Sequence, residues 1–386
     1  MYVDDENPLE RLVQEATRQL NICNACRYCE GYCAVFPALE RRTLLDGGDI
    51  TQIANLCHDC RACYDACMYS PPHEFAINIP AVLSEARIAS YDEFLWPARV
   101  PRVLSGWCGV VVGVASFAAA ILVIALVHAG PAGLVARSTS AASPYDLVPY
   151  PALLAFILVP AIYCAAIMAL GGVRYWRHIE GSSGGHPAIS IAQAIRDSVT
   201  LRYLRGGGAG CYYPADDKPS GMRRVLHSAV AWGFGLCFVS TTSAAVMQDI
   251  MGADPPYGYV SVPVVSGVVG GIALMIGCTT LLRLKARSSR VTSFRQMNIK
   301  DYGLLVSLDF LAASGLAVLL LRDTRAFGIV LLVHLAAIGT TFAAAPYSKF
   351  IHVLYRFLAL VHDAGEIGRE AALDRNKESG VSMEVG

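Results

Sequence analysis

The chain has 386 residues, of which 54% are hydrophobic and only 16% are charged, and its formal net charge is zero. Its mean hydropathy is +0.44. Too few charged side chains are present to cover the surface of a globule of this size. The composition therefore excludes an ordinary soluble protein and predicts that a lipid bilayer surrounds much of the surface. Lysine and arginine do not gather into a basic patch, and no nucleic acid is expected as a partner.

The charges are distributed unevenly along the chain. Residues 1–100 carry 15 acidic and 8 basic side chains, whereas the rest of the chain carries 16 acidic and 23 basic ones. The first hundred residues are therefore predicted to form a separate acidic domain. The opening sequence MYVDDENPLE has no basic segment followed by an apolar one, so no secretory signal is predicted. In a reducing compartment, clustered cysteines favour metal binding over disulfides.

Eight of the thirteen cysteines form two runs with the same spacing, C-x2-C-x2-C-x3-C. Three thiolates at such intervals can surround one cluster in a tight loop, while the fourth points elsewhere. In two-cluster ferredoxins that fourth cysteine ligates the other cluster. The spacing therefore predicts two [4Fe–4S] clusters with crossed ligands. The predicted ligands are Cys23, Cys26, Cys29 and Cys67 for cluster 1, and Cys57, Cys60, Cys63 and Cys33 for cluster 2.

One departure from small bacterial ferredoxins concerns the proline that usually follows the fourth cysteine. Ala34 and Met68 occupy those positions, and Pro37 and Pro71 come later. Such displacement is typical of the helical ferredoxin modules of respiratory enzymes. A pair of zinc sites is the alternative, but zinc needs only four cysteines per site and does not explain the offset of the fourth.

The predicted module, residues 1–78, is entirely helical. Residues 39–56 predict a helix, a turn at Gly47-Gly48 and a second helix. No strand is predicted. His58 and His73 are expected to be ordinary surface residues.

A helical segment over 79–102 is predicted to lie at the membrane interface, where Trp96-Pro97 would anchor it. It leads into a six-helix transmembrane bundle over 103–360, because six stretches are long and apolar enough to cross a bilayer. A charged tail, 361–386, is predicted to be disordered. The expected spans are about 103–128, 147–173, 225–248, 257–282, 302–321 and 326–345.

The loops between the spans predict the orientation. Residues 174–224 contain eight Lys or Arg and residues 283–300 contain six, whereas each alternate loop contains two at most. By the positive-inside rule the basic loops face the cytoplasm. An even number of spans then places both termini and the clusters in the cytoplasm, at the inner membrane of a prokaryote.

Histidines in the bundle predict a haem b site, because ionisable groups in lipid are costly and usually functional. His227 and His352 are both expected at the cytoplasmic depth, and we predict that they form a bis-histidine pair. His334, in the outer half, is a tentative third ligand. Eighteen residues complete five helical turns, so His334 and His352 are expected on one face of one helix, as ligands to two stacked haems would be. Pro346 would kink such a helix.

Two further features, Asp309 and the Gly-rich segment 201–214, have alternative interpretations. Asp309 lies inside the fifth span, either hydrogen-bonded between helices or acting as a proton relay to a quinone or a haem propionate. The Gly-rich segment 201–214 lacks the register of a phosphate loop and follows no strand, so a flexible hinge is favoured.

Taken together, these motifs resemble the membrane-bound tricarballylate (or citrate) utilisation protein B family, from Cys23 to about Phe357. The resemblance rests on residues 26–37 (CRYCEGYCAVFP), 57–67 (CHDCRACYDAC), 72–75 (PHEF), 201–214 and 346–352 (PYSKFIH). It implies a protein that reoxidises the flavin of a separate FAD-dependent tricarballylate dehydrogenase and passes electrons to the quinone pool. Family members often have paired histidines where this chain has His227-Ser228.

Two alternatives remain at this stage. The chain could serve as the membrane anchor of a different dehydrogenase or reductase, or it could be a membrane redox sensor, which would need an output domain. The sequence contains no dinucleotide-binding fingerprint, so hydride chemistry is assigned to a partner flavoprotein.

Overall fold

The structure is a computed structural model that describes residues 8–97, 107–135, 143–180, 187–206, 210–211 and 219–381. These residues form thirteen α-helices and no β-strand, apart from one isolated bridge between Cys211 and Ser220. The predicted fold class, an all-α ferredoxin-like module followed by a six-helix bundle, is confirmed.

The N-terminal module begins with α1 (Pro8–Cys26), which carries the first two cysteines, and continues through four shorter helices. Asp46 caps α3: its side chain accepts from the Asp49 amide, and the Asp49 side chain accepts from the Asp46 amide. Gly47-Gly48 therefore begins α3 instead of forming a separate turn. The four helices are α2 (Val35–Glu40), α3 (Gly47–Leu56), α4 (Ala62–Asp65) and α5 (Ile79–Glu93).

The bundle contains six helices that are long and apolar enough to cross a membrane. Many of their large apolar side chains, such as Val112 and Phe238, are exposed on the outside of the bundle, where lipid would cover them. A further helix, α8 (Pro187–Val199), lies between the second and third of these helices. The six are α6 (Trp107–Leu134), α7 (Tyr150–Ile179), α9 (Met222–Asp249), α10 (Val262–Arg287), α11 (Arg295–Leu320) and α12 (Phe327–Ala344).

Several predicted features fall outside the described residues. They are the start of the module (1–7), the end of the linker (98–102), the start of the first span (103–106), parts of the basic loop (181–186, 207–209 and 212–218) and the end of the tail (382–386).

Helix α5 belongs to the core of the module and does not form a separate interfacial linker. It packs against α1 and α3, and residues such as Leu83 and Tyr91 are fully buried. The same hydrophobic core continues into the bundle, where it includes Tyr175 of α7 and Tyr355 near the C-terminus. The module and one end of the bundle therefore share a single core.

The prediction of a disordered tail is wrong for most of its length. Helix α13 runs from His352 to Val381, and its residues 362–365 are buried. Two charges of this helix are withdrawn from solvent, because Asp363 pairs with Arg41, and Glu366 pairs with Arg41 at 3.3 Å and with Arg42 at 3.0 Å. These ion pairs join the end of the chain to α2 of the module.

His334 and His352 do not share one helix. Helix α12 ends at Ala344, two short 3-10 turns follow, and α13 begins at His352. Pro346 lies in the first turn, and the Ser348 hydroxyl accepts from the Phe350 amide to start the second. The interruption is thus encoded locally.

Helices α9 and α10 approach closely through glycine. A Cβ atom on Gly233 would lie 2.8 Å from the Gly270 carbonyl oxygen, and one on Gly270 would lie 2.7 Å from the Gly233 carbonyl oxygen. Small residues at such contacts let two membrane helices pack backbone to backbone.

We expect Gly233→Leu to force α9 and α10 apart and to cost about 1–3 kcal/mol of stability through overpacking. Gly235→Leu is the matched control, because a Cβ atom at Gly235 meets nothing within 4 Å. The midpoint of thermal unfolding in detergent would measure the difference. Equal midpoints for the two variants would contradict this account of the packing.

Candidate metal centres

The first cavity of the module is lined by thiols from both cysteine runs. The wall includes all four thiols assigned to cluster 1, namely Cys23, Cys26, Cys29 and Cys67. Tyr28 and Met68 also line it, and both are exposed, as is Cys26. This cavity therefore lies at the surface of the protein.

The second cavity lies deeper. Its wall includes the four thiols assigned to cluster 2, namely Cys33, Cys57, Cys60 and Cys63. The surrounding chain is buried from Gln52 to Ala62 without interruption. Cys63 and Ile79 line both cavities, so the two sites are direct neighbours.

Left-handed backbone turns shape both cysteine loops. Arg27, between two cysteines of the first run, has a φ of 55°, and Asp59 and Arg61 in the second run have φ of 52° and 65°. Such conformations are uncommon for residues with a side chain and tend to occur at functional sites. Here they belong to the loops that direct the thiols into the two cavities.

The thiols fit an iron–sulfur cluster in each cavity. Burial and then the thiols of Cys67 and Cys29 raise the pKa of Cys23 to about 12. Burial and then Cys57 likewise raise the pKa of Cys33 to about 12. A bound metal centre would supply the positive charge that lets such crowded, buried thiols ionise.

Single metal ions fit less well. Within the described parts of the chain, no three histidine, cysteine or carboxylate side chains converge closely enough to hold one ion. A zinc site requires four ligands about 2.0–2.3 Å from one ion. The thiols instead surround two cavities, which favours clusters over zinc.

His58 is a buried wall residue of the second cavity and not a surface histidine, which corrects the sequence-based prediction. Its Nδ1 lies 2.8 Å from the Leu56 carbonyl oxygen, which can only accept, so Nδ1 carries the proton. His73 is half-buried and stacks edge-on with Tyr69 and Phe75.

The second cavity is connected to the bundle by two arginines. Arg223, in the first turn of α9, donates to the Asp59 carbonyl oxygen at 2.5 Å. Arg356, in the first turns of α13, donates to the Asn55 carbonyl oxygen at 3.1 Å and also to that of Cys57. Each arginine lies four residues from a histidine on its own helix, which is one helical turn.

Those two histidines, His227 and His352, lie next to each other. Their ring centroids are 6.4 Å apart and their planes are inclined at 88°. Two imidazoles bound on opposite sides of one metal ion through bonds of about 2 Å would have centroids roughly 6 Å apart. The separation therefore fits a shared metal.

The protonation of the pair also fits metal binding. His352 Nδ1 donates to the Lys349 carbonyl oxygen at 2.5 Å, which leaves Nε2 as the acceptor. Burial and then Arg356 and Lys349 lower the pKa of His352 well below its ordinary value, so the ring is neutral. Nδ1 of His227 is buried without a hydrogen-bond partner among the described residues.

The remaining candidates lie elsewhere. His334 Nδ1 is 3.0 Å from the Ser314 hydroxyl of α11 and is not part of the pair. Asp309 accepts from the Thr279 hydroxyl, which is 3.1 Å from both carboxylate oxygens, so it joins α11 to α10.

Sequence reasoning missed several residues around the second cavity. The arginine at 87 and those at 223 and 356 bind backbone carbonyl groups, which leave no pattern in a sequence. Cys211, interpreted as part of a hinge, is buried beside Cys60, and its segment is held by the bridge to Ser220. The position of Arg223 and Arg356 one turn from a histidine is the one signal that could have identified them.

A cysteine-lined helical module on a six-span bundle defines a membrane-bound iron–sulfur protein. Residues 16–93 match the family described as citrate utilization protein B Fer4-like domain, and residues 107–373 match citrate utilization protein B. The chain is 38% identical over 370 residues to the citrate utilization protein B of Escherichia coli, covering 95% of this chain and 94% of that protein. The chain belongs to the citrate utilization protein B family. No solved structure matches it.

The crossed ligands can be tested with Cys67→Ser. We expect this change to damage the cluster held by Cys23, Cys26 and Cys29 and to leave the other cluster largely intact, so that about four of about eight irons are lost. EPR spectra with iron and sulfide analysis of the purified protein measure this. Cys164→Ser, at a buried cysteine of α7, is the control and should keep both clusters. Loss of the second-run cluster alone would show that the ligands are not crossed.

Proposed function

We propose that this protein carries electrons from a flavoprotein dehydrogenase to a membrane quinone, using two [4Fe–4S] clusters and one haem b. The family membership, the two thiol-lined cavities and the apolar bundle support this function. When bound, the clusters supply one-electron chemistry, which divides the two-electron oxidation of a flavin into single steps.

Electrons enter at the exposed cavity in this proposal. Cys26 is exposed, and Tyr28 and Met68 present large apolar side chains to solvent beside it. A partner that docks there would approach the first site closely. The acidic first hundred residues add a charged surface that a complementary partner can recognise.

The observation that carries the proposal is the pair of arginine contacts between the second cavity and the histidine pair. Arg223 and Arg356 fix the loop 55–59 to the two helices that bear His227 and His352. The chain thereby holds the second cavity at a constant position relative to the proposed haem ligands. His227 and His352 would hold the haem iron, and His334 is left out of this site.

The orientation is proposed from the basic loops. The module contacts one of them directly, because Arg61 donates to the Ser289 carbonyl oxygen at 3.1 Å and Asn78 to that of Val291 at 2.9 Å. If basic loops face the cytoplasm, the module does too. A flavoprotein in the cytoplasm could then reach the exposed cavity.

In this proposal the bundle is the part of the protein at which the quinone accepts electrons. Its outer surface is apolar, which gives a quinone access from lipid, and Asp309 is a proton-relay candidate within α11. The relative from Escherichia coli carries citrate in its name, so the dehydrogenase served by this chain is proposed to oxidise citrate or a related tricarboxylate such as tricarballylate.

The haem assignment predicts a spectrum. We expect reduced, purified protein to show the α-band of a low-spin b-type haem, and His227→Ala to remove most of that band by removing one of the two residues that would hold the iron. His334→Ala is the control and should retain the band, because His334 forms a hydrogen bond with Ser314 instead. A band that survives His227→Ala, or no band in the wild type, would refute this pairing.

The route predicts an activity that needs two proteins. In liposomes that contain this chain, its flavoprotein, the tricarboxylate and a quinone, we expect substrate-dependent quinone reduction. Cys60→Ala should lower the rate to that of the flavoprotein alone, and Cys278→Ala, at a buried cysteine of α10, should not. Full quinone reduction by the flavoprotein without this chain would limit the chain to an anchor.

A further inference from the structure

Three arginines surround the C-terminal end of α3, where the second cysteine run begins. Arg87 donates to the Ala54 carbonyl oxygen at 2.8 Å, and Arg356 and Arg223 donate to the carbonyl groups of Asn55, Cys57 and Asp59. Arg87 comes from the module and the other two come from the bundle. We name Arg87, Arg223 and Arg356 the arginine collar.

Part of this charge has no carboxylate counter-ion. Arg87 is only 3% exposed, and neither Arg87 nor Arg356 forms a salt bridge within the described chain. Burying a cation is costly unless a negative group compensates it. The carbonyl dipoles at the end of α3 supply only about half a charge.

Besides Asp59, which acts on Arg87 electrostatically, the thiols of the second cavity are the groups that would carry negative charge once they ligate a cluster. Burial lowers the pKa of Arg87, but Cys57, followed by Tyr91 and Asp59, outweighs burial and raises it above the ordinary value. A cluster held by four thiolates carries net negative charge. It would therefore compensate the buried positive charge of Arg87 and Arg356, which no salt bridge among the described residues neutralises.

The first cavity has a different environment. The arginine within its own cysteine run is Arg27, which is exposed and donates to the Asn24 carbonyl oxygen at 3.2 Å. Solvent and salt screen an exposed charge strongly, whereas a buried charge is screened much less.

We propose that the arginine collar gives the cluster of the second cavity the higher midpoint potential of the two, so that electrons collected at the exposed cluster move inward. Reduction adds one electron and one negative charge to a cluster, and fixed positive charge stabilises that reduced form. In the step itself the outer cluster is oxidised by one electron, the inner cluster is reduced by one, and no proton is required. This inference rests on the proposed two-cluster function.

The test is an EPR-monitored redox titration of the full-length protein in detergent. Cys26→Ser, which removes a thiol of the exposed cavity, assigns the two signals. We expect the inner cluster to have the higher midpoint in the wild type. In Arg87→Gln the ratio of oxidised to reduced inner cluster at a fixed potential should rise about tenfold. This corresponds to a midpoint potential lowered by about 59 mV for one electron.

Two variants separate charge from structure. Arg87→Lys keeps the charge and should keep the midpoint close to that of the wild type. Arg42→Gln removes another buried arginine of the module, one that is paired with Asp49 and Glu366, and should leave the inner midpoint unchanged. If Arg87→Gln fails to assemble, Arg356→Gln tests the same effect from the bundle side.

The outcomes distinguish this inference from the proposed function. Iron analysis that finds no clusters would refute the proposed function itself. Two intact clusters whose inner midpoint is equal to or below the outer one, or does not move in Arg87→Gln or Arg356→Gln, would overturn the role of the collar and leave the proposed function standing.

Discussion

The contact on which the structure depends is the aromatic junction between the module and the bundle. Tyr175 of α7 and Tyr355 of α13 stack with their centroids 4.6 Å apart and their planes inclined by 8°. Tyr91 and Phe94 of the module pack edge-on against this stack. Because aromatic side chains bury large areas in fixed orientations, the junction sets the position of the cysteine loops relative to the membrane helices.

Polarity changes steadily across this junction. The first thiol cavity is open to solvent, the second is lined mainly by buried residues, and the histidine pair lies on α9 and α13, the two helices that Arg223 and Arg356 connect to the second cavity. From the first cavity to the second, protein groups replace water as the surroundings of the site. These groups are thiols at the first cavity, and arginines and carbonyl oxygens at the second. Fixed dipoles and charges need little reorganisation when an electron arrives, which is the property that a chain of redox sites requires.

The sequence predicted those features that are encoded by local spacing. The cysteine intervals of two and three residues predict the module. The apolar stretches that are long enough to cross a membrane predict the bundle, and their positions give the order of the two parts along the chain. The tail was mispredicted because its charges resemble a solvated segment, whereas Asp363 and Glu366 pair with arginines more than 320 residues away. Arg87 could not be recognised because it binds a carbonyl group, which every residue has, and Arg223 and Arg356 have only their spacing from a histidine as a signal.

The ion pairs of Asp363 and Glu366 with Arg41 and Arg42 have a consequence for biogenesis. The module precedes all six spans along the chain, and the helix that fastens it follows them. All six spans must be synthesised before residue 366 can reach α2. During that interval the module is attached to the membrane only through the chain that follows it, and its ion pairs with α13 have not yet formed. The pairing of Asp363 and Glu366 with the arginines of the module is therefore a late step, possible only after the cysteine loops and all six spans have been synthesised.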